Sequence, residues 1–206
     1  MIEPKEMTTP VGESASCERP FASQDEFQGF RVNQSYEHSI LSFLPGHKST
    51  AIPYKVDFNS LQKLCIQNLK QISDIEISSG SITAEQLATI KQAGICSIIC
   101  LLPDKEIDKN EQAEALKLGL NFRRLPIRGV EDITFDNADK FEQILQEVKG
   151  HPFLVHCKSA NRNASLITLV AYKYNDNDAE QALVLGKFWG PIRPPFEAKL
   201  RQLMSH

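Results

Sequence analysis

The chain has no basic excess, no long apolar run and no cysteine framework, and each shortage removes a class of function. Net charge is −3 with 24% charged residues, so nothing suggests a sequence-independent grip on nucleic acid, which depends on clustered Lys and Arg. No apolar stretch approaches the ~18 residues that a membrane-spanning helix needs. The N-terminus carries Glu3, Lys5 and Glu6 with no apolar segment behind them, unlike a secretory signal. Five cysteines (Cys17, Cys65, Cys96, Cys100 and Cys157) are odd in number and scattered, which reads as reduced thiols in a cytoplasmic setting. The five histidines are dispersed as well, and none pairs with a cysteine at zinc-finger spacing. Neither a metal nor another cofactor is therefore expected. Oligomeric state leaves no mark on the sequence.

What is present divides into three. Residues 1–25 are polar, with Pro4, Pro10, Gly12 and Pro20 and little periodicity; they are expected to be disordered or loosely tethered. Residues 26–72 are read as an extension packing on the main domain, and Phe58, Leu61, Leu64, Cys65, Leu69 and Ile72 follow helical spacing from 58 to 72. From 73 to 206 the pattern sharpens. A short strand (74–79) ends at Gly80, and Thr83-Ala84-Glu85-Gln86 has the form of a capping box opening a helix that stops at Gly94. Ile95 to Leu102 is continuously apolar, as a strand buried on both faces should be. A helix over 110–118, a strand over 121–127 and an amphipathic helix over 135–148 follow, with two further helices near 178–188 and 195–204. Strands alternating with helices predict an α/β domain with a mainly parallel central sheet flanked by helices.

The stretch 152–174 (PFLVHCKSANRNASLITLVAYKY) carries the chemistry. An apolar strand runs into His156 and Cys157, small and polar residues follow, then Arg162 and a largely apolar helix. A helix N-terminus is an anion site and favours the thiolate form of a cysteine, which is the nucleophile. Cys157 is read as that nucleophile, with the backbone N–H groups of Lys158, Ser159, Ala160, Asn161 and Arg162 lining an anion and the Arg162 guanidinium gripping two of its oxygens. Lys158 adds positive charge, and His156 would orient the loop. Cys65, Cys96 and Cys100 lack this setting and are assigned to packing, as most cysteines are. Thiol attack on a phosphate ester also needs an acid for the leaving oxygen. Glu131 and Asp132, in the loop after the preceding strand, are the first candidates, and Asp104 is the next.

HCKSANRN resembles the signature loop of cysteine-dependent protein phosphatases, and the order of elements before it looks like the dual-specificity phosphatase fold. Ser79-Gly80, the helix start at Thr83, Ala93-Gly94 and Pro103-Asp104 are similar to a bacterial branch, the beta-lactamase-hydrolase-like phosphatases, in which cysteine and arginine are likewise separated by four residues. The resemblance covers about residues 73–175. It implies hydrolysis of phosphate monoesters, including phosphorylated protein side chains, through a phosphocysteine at Cys157. Three departures from the wider cysteine phosphatases stand out. The loop is one residue shorter, Ala160 replaces the usual glycine, and Asn163 replaces the hydroxyl residue after the arginine, with an amide able to offer the thiolate a comparable hydrogen bond. A rhodanese-like sulfurtransferase shares the six-residue spacing, and a non-catalytic pseudophosphatase fits the Ala160 and Asn163 changes.

Overall fold

The computed structural model describes residues 55–175 and 177–205. The tail expected at 1–25 and the extension as far as 54 lie outside the described residues. Among the described residues, five strands form one sheet: β1 (Lys70–Gln71), β2 (Glu76–Ser79), β3 (Ser97–Cys100), β4 (Asn121–Arg124) and β5 (Phe153–His156), in the order β1-β2-β5-β3-β4. Only β1 runs antiparallel to its neighbour. Every residue of β2, β3 and β5 is buried, which is why these segments are mostly apolar or small and do not alternate; Glu76 and His156 are the charged or titratable exceptions. β4 is an edge strand and does alternate, with Phe122 buried and Asn121 and Arg123 exposed.

Among the described residues, seven α-helices accompany the sheet: α1 (Phe58–Gln62), α2 (Leu87–Gln92), α3 (Glu111–Lys117), α4 (Phe135–Val148), α5 (Asn161–Tyr174), α6 (Ala179–Trp189) and α7 (Pro194–Leu203). The α4 boundaries match the amphipathic pattern, which buries Ala138, Phe141, Leu145 and Val148. α5 is buried continuously from Asn161 to Ala171, so the helix behind the cysteine loop runs through the core. Trp189 at the end of α6 is 1% exposed and stacks on Phe153 of β5, with ring centroids 6.4 Å apart. The capping box opens a 3-10 turn over Ala84–Gln86 that leads into α2, with Gln86 Oε1 accepting from Thr83 N–H at 2.9 Å. Among the described residues, no helix is long and apolar enough to cross a membrane.

The helix expected over 58–72 is a correction. α1 ends at Gln62, and the backbone at Cys65 (φ 51°) and Asn68 (φ 52°) is left-handed, a conformation that a right-handed helix cannot continue through. Leu61, Ile66 and Leu69 are buried all the same, Leu61 from α1 and the other two from the turns that lead to β1. The packing role given to the spare cysteines also needs revising. Only Cys100 is buried; Cys65 is exposed and Cys96, just before β3, is partly so.

Candidate active site

β5 lies in the middle of the sheet, and Cys157 follows its last residue directly, with α5 starting at Asn161. The loop between is strapped from one side by the end of β2 and the segment before β1. Ser81 N–H donates to the Lys158 carbonyl (3.3 Å), Asn68 Nδ2 to the Ser159 carbonyl (3.0 Å) and Ser81 Oγ to the Cys157 carbonyl (3.4 Å). The Ala160 carbonyl accepts from Ala164 N–H within the helix. With these carbonyls drawn outward, the first-turn N–H groups of α5, which an α-helix leaves without internal acceptors, are the polar groups at the loop's end. Cys157 itself is 1% exposed, at the carboxyl end of a central parallel strand where such sheets bind ligands.

Ala160 has φ 60° and ψ 1°, the left-handed conformation that costs a non-glycine residue about 1–2 kcal/mol. Its neighbours are built around it. A Cβ at Gly190 would stand 2.7 Å from the Ala160 carbonyl oxygen and 2.8 Å from the Ala160 Cβ, so glycine at 190 makes room for alanine at 160. Gly80 plays the same part on the other side, where a Cβ would lie 2.7 Å from the Gln67 carbonyl oxygen and 3.0 Å from that of Lys158.

Arg162 is nearly buried and already held. Its Nη1 and Nη2 donate to the two carboxylate oxygens of Glu106, each at 2.9 Å, and Nη2 also donates to the Arg128 carbonyl at 3.2 Å. Glu106 therefore engages the end of the guanidinium and the Arg128 carbonyl takes the other Nη2 proton, so an oxyanion gripped through the Nε–Nη2 edge has to displace that carbonyl. Of the candidate acids, Asp132 is one on which the Arg162 charge acts. Two Arg128 side-chain nitrogens and the Arg128 N–H donate to it at 2.7–2.9 Å. Hydrogen bonds from Arg128, reinforced by its charge and that of Arg162, hold Asp132 well below the usual carboxylate range, at about 2. Glu131 beside it is exposed. Asp104 is 86% exposed and paired with Arg124 at the end of β4 (2.9 Å).

Of the other loop residues, Lys158 is exposed and Ser159 partly so. Asn161 is buried and its Oδ1 accepts from Arg193 N–H (3.0 Å), tying the start of α5 to the segment before α7. The amide proposed to serve the Cys157 thiolate points elsewhere: Asn163 Nδ2 sits 3.0–3.1 Å from Ser78 Oγ and the Ser79 and Val155 carbonyls. Asn163 thus clamps α5 to β2 and β5. His156 is fully buried, with Nε2 2.8 Å from Glu111 Oε1 at the start of α3. Cys100, its partner in register on β3, completes a cluster with these two whose ligating atoms all lie within 4.8 Å of one another. Burial, then the Glu111 charge, push the Cys100 thiol up to about 12, so it is a protonated thiol.

Glu106, Arg128, Glu111 and Gly190 were not legible as site residues. Of these, Arg128 carried a sign in the sequence, its position four residues before the candidate acid Asp132. Glu106 reaches Arg162 across 56 positions of sequence.

The architecture is that of the dual-specificity-like cysteine phosphatases. No protein-family model and no curated protein sequence matches the chain significantly. Solved structures do match. A DUF442 protein of Shewanella putrefaciens CN-32 superimposes with a TM-score of 0.57 at 22% identity, covering 72% of this chain and 97% of its own. The core catalytic domain of the PP-IP phosphatase SIW14 of S. cerevisiae gives 0.53 at 16% identity, over 67% and 86% of the two chains. TpbA of P. aeruginosa gives 0.50 at 20% identity, over 76% and 92%. At these identities the likeness is one of fold.

Proposed function

We propose that the chain is a cysteine-dependent phosphatase acting on phosphate monoesters, of the kind its loop resembles. The observation that carries the proposal is the combination at one strand end: a buried Cys157 ahead of a helix and, in that helix's first turn, an Arg162 guanidinium held in place by Glu106. Cys157 Sγ, as thiolate, attacks phosphorus and forms the S–P bond as the ester P–O bond breaks. Arg162 and the N–H groups of the loop stabilise the equatorial oxygens. Asp132 donates a proton to the leaving oxygen; water then attacks the phosphocysteine, Asp132 takes its proton, and phosphate departs as the S–P bond breaks.

Asp132 is favoured over Glu131 and Asp104 because the Arg162 charge acts on it and it is sheltered, whereas Glu131 and Asp104 are exposed. To act as an acid it must hold a proton, which its Arg128 partner opposes. A phosphate dianion beside it disfavours a second negative charge and raises its proton affinity, and the Arg128 side chain is 82% exposed and able to swing away. The solved neighbour SIW14 bears the name of a PP-IP phosphatase, which supports a phosphorylated substrate here, as does the resemblance to the beta-lactamase-hydrolase-like branch.

The test is a paired assay of the full chain with an aryl phosphate and, separately, with thiosulfate and cyanide. Phosphate release that disappears in Cys157→Ser is expected. Release that survives in the serine variant removes the nucleophile assignment. Thiocyanate without phosphate moves the chain to the sulfur-transfer class that shares its six-residue loop, and vanadate binding without turnover makes it a phosphate-binding pseudophosphatase.

A further inference from the structure

We propose that Cys100, Glu111 and His156 form a zinc site enclosed behind the cysteine loop, separate from the anion pocket and independent of the reaction assigned to it. The site is assembled by the fold. Cys100 ends β3 and His156 ends β5, opposite each other in a parallel pair, so their side chains leave the same face of the sheet. Glu111 enters from the first turn of α3.

All three side chains are buried, and their donor set of sulfur, imidazole nitrogen and carboxylate oxygen is one that zinc takes readily. Around a tetrahedral zinc, with bonds of about 2.0–2.3 Å, neighbouring donor atoms stand roughly 3.3–3.6 Å apart. The donors here span 2.8 Å, between His156 Nε2 and Glu111 Oε1, to at most 4.8 Å. That range brackets the required spacing, so small rotations suffice.

Two further observations point to an ion. Glu111 Oε2 is fully buried with no hydrogen bond to it of ordinary geometry among the described residues, and beside His156 the Glu111 carboxylate meets the thiol of Cys100, a weak donor. A carboxylate binding zinc through both oxygens would use Oε2 and would complete four donor atoms. Charge also balances once the ion displaces the Cys100 thiol proton to solvent: the resulting thiolate and the Glu111 carboxylate cancel Zn²⁺ and leave no net charge in an enclosed space. The ion would fix the ends of β3 and β5 and the start of α3, one residue before Cys157, and its role is structural.

The experiment uses the full chain produced in zinc-supplemented medium, with metal content measured, and the same chain refolded in the presence of Co²⁺. One equivalent of metal is expected, with a thiolate-to-cobalt charge-transfer band and a Tm about 5–10 °C above that of the chelator-treated protein. The band should persist in Cys157→Ser, disappear in Cys100→Ser and weaken in Glu111→Gln. Folded protein that takes up no metal by either route overturns the proposal, and so does a band that vanishes in Cys157→Ser. Should Cys100→Ser fail to fold, the Cys157→Ser and Glu111→Gln spectra decide.

Discussion

Replacing Glu106 by alanine tests how the anion pocket is put together. Glu106 contributes two effects of opposite sign. Its carboxylate holds both Nη atoms of Arg162 at 2.9 Å, which presets a side chain with about 2 kcal/mol of rotamer entropy. It also places a negative charge on the far edge of the guanidinium, where it opposes a phosphate. Glu106 is 28% exposed, and at water-like screening a repulsion across some 7 Å amounts to roughly 0.5–1 kcal/mol. Loss of preorganisation outweighs relief of repulsion by about 1–1.5 kcal/mol, which is roughly a 5- to 13-fold fall in rate. The fall should appear in kcat more than in KM, because Arg162 grips the transition state harder than the ground state. Glu106→Gln retains one acceptor for Arg162 and should lose less than Glu106→Ala. Steady-state kinetics with an aryl phosphate measure both variants, and vanadate affinity reports the transition-state geometry. An alanine variant as active as the parent, or more so, would show that Glu106 obstructs the pocket and does not set it up.

Three other outcomes follow from the same geometry. Asp132, held at about 2 mainly by Arg128, stabilises the fold above its ordinary value near 4, and that contribution is lost as pH falls through about 2; because Arg128 is largely exposed, it amounts to under about 1 kcal/mol. In Arg128→Gln the Asp132 carboxyl should titrate closer to 4 by NMR, and urea midpoints should fall less between pH 4 and pH 2 than in the parent. Gly190→Ala drives a methyl into the Ala160 carbonyl and Cβ and should destabilise by more than about 2 kcal/mol, with activity lost; Ala160→Gly should change stability by less than about 1 kcal/mol, since relief of the left-handed strain offsets a lost buried methyl and a more flexible unfolded chain, and it should partly rescue the double variant. Asn163→Ala leaves buried strand carbonyls short of a donor and should lower stability by about 2–3 kcal/mol in urea unfolding, whereas an amide serving only the thiolate would change turnover and leave stability intact.

What the sequence determined by itself is what depends on neighbours in the chain. The unbroken apolar runs of β3 and β5, the period of α4 and the capping box at Thr83 are local signals, and they mark the elements of a parallel sheet. The strand–Cys157–Arg162–helix order is local too, because the loop's length and the helix dipole need no distant partner. Helical spacing misled over 58–72, where two left-handed residues turn the chain and tertiary burial of Leu61, Ile66 and Leu69 replaces a helix face. Tertiary structure alone decided which groups meet. Arg162 is set by Glu106 from the loop after β3, Ala160 is accommodated by a glycine thirty residues on, and Asn163 clamps strands instead of facing the thiol. The gathering of Cys100, Glu111 and His156 is of the same kind. These contacts join strand ends and helix starts that only the sheet order β1-β2-β5-β3-β4 brings together, and no spacing along the chain encodes that adjacency.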